Sequence, residues 1–263
     1  MKTRLTTQLL KSAYIAFVYL FLYAPIFVLI AYSFNDSTYS LVWQQFTWKW
    51  YEMLLENAEL HLVAYHSLIL GVLSASFATL FGTMVAISLY RYPFRGKRLV
   101  YALLFILMVS PDIVTGISFL ILFSTLKMPL GFWTLLLSHI AFCIPFVTVT
   151  VYSRLLGQDK NIFEAAKDLG ATEGLIVRKI LVPLLWPAIA AGWLLSFTLS
   201  LDDVLVSFFV NGPGFDILPL KIFSMVRVGV KPEINALCSV MFILTILIVI
   251  AYQLVTWKKE KCT

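Results

Sequence analysis

Six stretches of more than 20 residues run almost free of Asp, Glu, Lys and Arg, and this restricts the fold of the chain more than any other feature. They lie at about 12–34, 62–90, 99–126, 132–152, 184–210 and 234–257, and only Asp112 and the pair Asp202-Asp203 interrupt them. An apolar helix of about 20 residues crosses the ~30 Å hydrocarbon layer of a bilayer, and it satisfies its own backbone N–H and C=O groups where no water is present. The composition agrees: of 263 residues 60% are hydrophobic and 13% charged, against about 25% charged in a soluble domain. A soluble enzyme, a disordered tail and a fibrous protein are excluded. The expected fold is an all-α membrane protein, a single transmembrane domain over 1–263 with six helices. The first stretch follows Lys2, Arg4 and Lys11 as a signal peptide would, and Ala31-Tyr32-Ser33 resembles a weak cleavage site. Its apolar run is nevertheless well beyond the 7–15 residues of a signal core, so a retained helix is expected.

Six crossings place both termini on one side, and the basic residues select it. Lys2, Arg4, Lys11, Arg91, Arg95, Lys97, Arg98, Arg154, Lys160, Lys167, Arg178, Lys179, Lys258, Lys259 and Lys261 share the side of the termini. Only Lys49, Lys127, Lys221, Arg227 and Lys231 fall on the other. The excess of cations marks the cytoplasmic side, so both termini are expected there. The same bias accounts for the net charge of +6, which therefore implies no nucleic-acid partner. Cys143, Cys238 and Cys262 are too few and too scattered for a disulfide framework or a zinc site. His139 and Cys143 share a helix face at i, i+4 but have no third ligand, so an interhelical polar contact is expected and no metal. Gly71, Ser74, Ala75, Ala78 and Gly82 form a stripe of small residues suited to close helix contact.

Two outer connections are long enough to carry structure. Residues 36–61 hold Tyr39, Trp43, Phe46, Trp48, Trp50 and Tyr51 together with Glu52, Glu56 and Glu59. One reading is an interfacial helix whose rings sit among the lipid headgroups. The other is that Tyr39, Trp43, Trp48 and Trp50 line an entrance and hold a cation against their faces. The second connection contains the turn Gly212-Pro213-Gly214. No internal repeat is visible, which weakens a reading as an inverted-repeat secondary transporter.

The inner loop 154–182 is patterned. Ile162, Ala165, Ala166 and Leu169 recur at helical spacing opposite Lys160, Glu164, Lys167 and Asp168. Gly170 stands where a helix end favours glycine, and Thr172 is placed to cap a second short helix bearing Leu175, Ile176 and Ile180, which is expected to stop at Pro183. Charges of alternating sign argue against a helix lying on the bilayer surface and for a docking site for another protein.

Glu164-Ala165-Ala166, Gly170, Ile180 and Pro183 resemble the EAA loop of ABC importer permeases, E-A-A-x₃-G-x₉-I-x-L-P, with Val182 in place of Leu. The resemblance implies a type I importer permease fold. It also implies a coupling helix seated in a cleft of the nucleotide-binding subunit, carried by Glu164, Ala165, Ala166, Asp168 and Gly170. Residues 110–114 (SPDIV), 138–143 (SHIAFC), 196–204 (SFTLSLDDV) and 217–222 (ILPLKI) are similar to permeases of spermidine/putrescine importers. That similarity covers essentially the whole chain. It implies residence in the bacterial inner membrane, a second homologous permease, two ATP-binding subunits and a periplasmic polyamine-binding protein. The chain has no G-x₄-G-K-[ST] loop, so ATP and Mg belong to the partner ATPase and no cofactor of its own is expected.

Asp112, Asp202 and Asp203 are the formal charges within the spans, and no Lys or Arg accompanies them. An Asp at a helix centre costs ~2.5–3.5 kcal/mol on insertion scales, so such groups face a bundle interior or a wet cavity. A polyamine carries several separated positive charges, and carboxylates spaced along a path can replace its water in steps. Neighbouring helical residues project ~100° apart, so Asp202 and Asp203 cannot face one cavity equally. One of them is free to cap a break after Ser200 or to pair with a partner permease. Pro111, before Asp112, is placed to kink its helix.

Another cationic cargo, such as ferric iron, is the alternative, because the coupling loop does not discriminate cargo. An intramembrane aspartyl protease lacks its Tyr-Asp and Gly-x-Gly-Asp contexts here, and no Gly-x-Ser-x-Gly element suggests a serine hydrolase. A channel would leave the coupling loop without a purpose.

Overall fold

The computed structural model describes residues 2–37, 42–159, 161–229 and 232–260, with the side chains of these except 2–9, 161, 248 and 251–260. Tyr39 and Lys160 lie outside the described residues. The helices are α1 (Lys2–Tyr32), α2 (Lys49–Glu56), α3 (Ala58–Arg91), α4 (Lys97–Val109), α5 (Asp112–Thr125) and α6 (Phe132–Leu156). They continue as α7 (Asn161–Asp168), α8 (Glu173–Ile176), α9 (Val182–Asp202), α10 (Leu205–Val210), α11 (Leu218–Val228) and α12 (Pro232–Glu260). One π-helical turn, Val177–Leu181, joins α8 to α9. The only β-type pairing among the described residues is a bridge between Asn35 and Phe46, so the fold is all-α. The chain divides into two units, residues 1–61 with 222–263 and residues 62–221.

In the first unit α12 lies against α1 and α2. The chain leaves α1 through Asn35, which is fully buried because its polar atoms are all used. Its Nδ2 donates to Val42 O at 2.8 Å, and its Oδ1 accepts from Gln44 N at 2.8 Å. Its carbonyl accepts from Trp50 Nε1 at 2.8 Å. Phe34 then gathers Phe46, Trp48 and Tyr51 at centroid distances of 4.9–5.2 Å.

In the second unit α6 and α9 form the central pair, α4 and α10 lie against α6, and α5 lies against α10. Small residues set the approach. A Cβ placed on Gly82 would stand 2.7 Å from Val147 Cβ, and one on Gly192 would stand 3.2 Å from Val147 Cγ1. Val147 of α6 therefore occupies hollows made by glycines of α3 and α9. Ser74, Ala75 and Ala78 of the α3 stripe are buried with no exposure. The core continues along α6 through Cys143, Val147, Val151 and Leu155, then joins Phe163, Ala166, Ile176 and Leu181 of the inner loop.

Among the described residues, four helical runs are long and apolar enough to cross a membrane: Leu10–Tyr32, Ala58–Arg91, Phe132–Leu156 and Glu173–Asp202. The expected span at 99–126 is instead a pair, α4 and α5, bent by 114°. Pro111 has no N–H and disfavours helix at the preceding residue, so Ser110 is extended (φ −61°, ψ 135°) and α5 starts afresh after Pro111. The expected span at 184–210 likewise breaks at Asp203-Val204 into α9 and α10. Among the described side chains, the apolar part of α12, where a sixth span was expected, extends over Pro232–Leu247 and is shorter than these four runs.

The second inner helix also departs from expectation, because it does not stop at Pro183. Thr172 stands at the N-cap position of α8 with no side-chain capping bond. The helix runs from there through the π turn into α9, with Pro183 in the first turn of α9. There the amide of Val182 bonds Val177 O, and widening the turn makes room for a residue that cannot donate.

Gly82→Ala should destabilise the folded chain by ~1–3 kcal/mol, the usual cost of overfilling a tight contact. Thermal unfolding of the purified importer checks this, and Val147→Ala in the same chain should recover part of the loss.

Candidate functional site

The break between α9 and α10 organises the intramembrane polar residues. A helix beginning at Leu205 leaves its first N–H groups without partners, and in hydrocarbon no water supplies them. Asp203 does so: Oδ1 accepts from Val206 N at 3.2 Å and Oδ2 from Ser207 N at 2.8 Å. Oδ2 also accepts from Ser207 Oγ at 2.7 Å and lies 3.6 Å from His139 Nε2. His139 of α6, which is 2% exposed, spans the break. Its Nδ1 is 2.7 Å from Ser200 Oγ on α9 and its Nε2 is 2.9 Å from Ser207 Oγ on α10. Ser74 of α3 extends the chain by donating to Ser200 Oγ at 3.0 Å. Asp203 is thus the residue of the pair that caps the break, one position beyond Asp202 and three beyond Ser200. His139 makes an interhelical polar contact as its sequence context suggested, and Cys143 lies 3.6 Å from Ser196 O.

Asp202 ends α9 with its side chain exposed, and Asp112 begins α5, also exposed. The carboxylates of Asp203 and Asp112 both lie close enough to act electrostatically on Asp202. α5 packs on α10, and the approach depends on Gly116. A Cβ there would stand 2.7 Å from Phe209 Cδ2 and 3.3 Å from Leu205 O. Asp203 is committed to the backbone while Asp112 and Asp202 are presented outward.

Trp43 and Trp48 are exposed at 48% and 57%. Trp50 is buried, donates its N–H to Asn35 O and carries Lys49 Nζ over its ring at 5.3 Å. The aromatic residues therefore differ in kind: two present rings outward, whereas Trp50 holds the connection together.

In the inner loop α7 turns Glu164, Ala165 and Asp168 outward and buries Ala166 with Phe163 in the core. Gly170 has φ +79°, donates to Lys167 O at 2.8 Å and is followed by Ala171, which donates to Ala166 O at 3.0 Å. This is the left-handed helix end that its sequence position suggested, and a side chain there would strain the backbone. The two alanines have separate uses. Ala166 lets α7 sit close to Ile176 and Leu155, and Ala165 leaves a low exposed surface.

The sequence offered no sign of Ser200 and Ser207 as partners of His139. Serines in apolar spans are common, and only the fold shows which of them converge.

The model of the family described as "Binding-protein-dependent transport system inner membrane component" matches residues 78–257. The chain is 56% identical over 254 residues to the spermidine/putrescine transport system permease protein PotC of Escherichia coli (strain K12), covering 97% of this chain and 96% of that protein. It is 42% identical over 227 residues to the putrescine transport system permease protein PotI of the same organism, covering 83% and 80%. The fold is similar to a chain in the crystal structure of a bacterial ABC transporter involved in the import of the acidic polysaccharide alginate, with a TM-score of 0.73, 15% identity and 97% of each chain covered. The family match spans α6, the inner loop and the broken α9–α10 segment, and the chain belongs to the binding-protein-dependent transport system inner membrane components.

Proposed function

We propose that this chain is the permease subunit of an ATP-driven importer that carries spermidine and putrescine across the inner membrane. The observation that carries the reading is the similarity over nearly its full length to a permease of that named cargo. The alternative of ferric iron is not favoured, since the relatives at 56% and 42% identity are both named for polyamines. The chain is a transport component and not an enzyme.

The finer assignments belong to the same proposal. The six spans act as one permease domain with both termini cytoplasmic, the α4–α5 pair serving as one bent span and α12 as the last. The partners are a second homologous permease, two ATP-binding subunits docked on loop 154–182 and a periplasmic polyamine-binding protein. Asp112 and Asp202 form the part of the path that meets the cargo, since both are exposed and Asp112 acts electrostatically on Asp202. Asp203 keeps Asp202 in place by holding the break. Trp43 and Trp48 offer ring faces to a cation at the outer mouth, with Tyr39 assigned there from sequence alone and Trp50 supporting them. Glu164, Ala165, Ala166, Asp168 and Gly170 carry coupling: nucleotide-driven closure of the ATPases displaces α7, and a rearrangement of the spans changes the side to which the path opens.

Labelled spermidine uptake tests the path in cells lacking their own polyamine importer, supplied with this chain and its three kinds of partner at matched membrane levels. Asp112→Asn and Asp202→Asn should each lower uptake about tenfold, equivalent to ~1.4 kcal/mol of lost interaction. Asp203→Asn should lower stability by ~0.5–2 kcal/mol through its cap. Normal uptake in both of the first two variants would remove the carboxylates from the path and leave the permease assignment standing. Glu164→Ala should abolish uptake while also weakening capture of the ATPase, which co-purification measures. For the topology, a membrane-impermeant thiol reagent added outside intact cells should label Trp43→Cys and leave Leu169→Cys unmodified.

A further inference from the structure

The inner end of α3 and the coupling helix α7 are joined through a third element. Glu173, the first residue of α8, sets its carboxylate between cations from two other helices. Its Oε2 accepts from Arg91 Nε at 2.7 Å and lies 2.6 Å from Nη2 of the same guanidinium. Its Oε1 lies 3.0 Å from Lys167 Nζ. Arg91 is the last residue of α3 and Lys167 belongs to α7. The Arg91 guanidinium also covers the ring of Phe163, on α7, at 5.5 Å.

Apolar contact holds α7 on one side only. Phe163 and Ala166 are sunk in the core, but beside them opens a cleft of about 600 Å³ whose walls include Tyr92, Tyr152, Leu156 and Glu164. The turn linking α7 to α8 is closed by backbone bonds, with Gly170 in the left-handed region and no side-chain cap from Thr172. Beyond the apolar anchor and this turn, the charged triad joins the exposed side of α7 to the end of α3. An exposed pair such as Lys167–Glu173 contributes little alone. The Arg91 side differs: that side chain is only 10% exposed, its Nε donates to Glu173 Oε2, and its Nη2 lies against the same oxygen as an ion-pair contact. Such a charge-assisted arrangement fixes direction as well as distance, and removing the carboxylate leaves a dehydrated guanidinium without its anion.

We propose that Glu173 is a positioning residue for transport: with Arg91 and Lys167 it locks α7 to the inner end of α3, so that a push on α7 moves a membrane-spanning helix instead of being absorbed in the loop. The inference rests on the coupling role given above to α7 and adds three residues to it, of which Glu173 is the centre.

The test uses the whole importer reconstituted in proteoliposomes, with spin labels at Met84→Cys on α3 and Leu169→Cys beyond α7 in a chain carrying Cys238→Ser and Cys262→Ser. In the otherwise unaltered importer the distance between labels should stay narrow in the nucleotide-free and vanadate-trapped states. Glu173→Gln and Arg91→Met should each broaden it and lower spermidine imported per ATP hydrolysed about fivefold, the lower range of coupling between sites. Because both variants cut one linkage, the double variant should be no worse than the poorer single one. Arg91→Lys keeps the charge without the directed Nε–H bond and should fall between, and it decides the matter if Glu173→Gln does not assemble. A narrow distance with an unchanged import ratio in these variants overturns the proposal, as does a double variant whose defects multiply. If the unaltered importer hydrolyses ATP but imports no spermidine, the cargo reading fails and the label distance alone decides the role of Glu173.

Discussion

A helix that breaks inside hydrocarbon exposes backbone donors and acceptors to a medium that cannot bond them, and each unsatisfied group there costs several kcal/mol. Interrupting α9 at Asp203-Val204 is therefore possible only because other parts of the chain supply the missing partners. Asp203 takes the free N–H groups of α10, and His139 binds a serine on each side of the gap. Asp203 and Ser207 sit on the broken segment itself, whereas His139 and Ser74 come from α6 and α3. The break is thus a joint property of four helices. Its consequence is chemical: helix α9 ends at Asp202, which leaves that carboxylate at a helix end while Asp203 takes the capping duty.

Glycine and alanine make this convergence sterically possible. Val147 fits against Gly82 and Gly192, and Phe209 fits against Gly116, so α3, α6 and α9 on one hand and α5 and α10 on the other approach to backbone distance. With no hydrophobic drive between helices in lipid, close packing of this kind carries association, and it also leaves little slack. The core of α6 runs on without interruption into Phe163, Ala166 and Ile176 of the inner loop. The helix α7 and the helix α6 therefore share one packed core within residues 62–221, a condition that the proposed coupling requires.

Much of the fold was legible in the residues. Charge-free stretches point to spans because bilayer thickness sets their length. In the inner loop the helix end at Gly170 was legible because it is local, whereas of the expected apolar stripe only Ala166 is buried, with Phe163 beside it. Two local expectations failed. Pro183 was expected to end a helix but sits within a continuous run, since a π turn and the first turn of α9 tolerate a missing donor. Thr172 occupies the N-cap without bonding there. At 99–126 the sequence pointed to a kink, and Ser110-Pro111 instead turns the chain by 114°.

The candidate site was legible as a list of acids and rings but not as an arrangement. The sequence by itself determined that Asp112, Asp202 and Asp203 lie in apolar stretches, that the fold is all-α, and that a short amphipathic helix ahead of Gly170 occupies the inner loop. Composition and spacing suffice for these, because hydration and helix periodicity act locally. The tertiary structure alone decided that Asp203 serves the backbone while Asp202 is presented outward, that Trp50 is structural while Trp43 and Trp48 are exposed, and that Glu173 meets Arg91 from 82 positions away. Each of those outcomes depends on which distant groups arrive to satisfy a buried charge or N–H. That is settled by the packing of helices whose contacts no local pattern encodes.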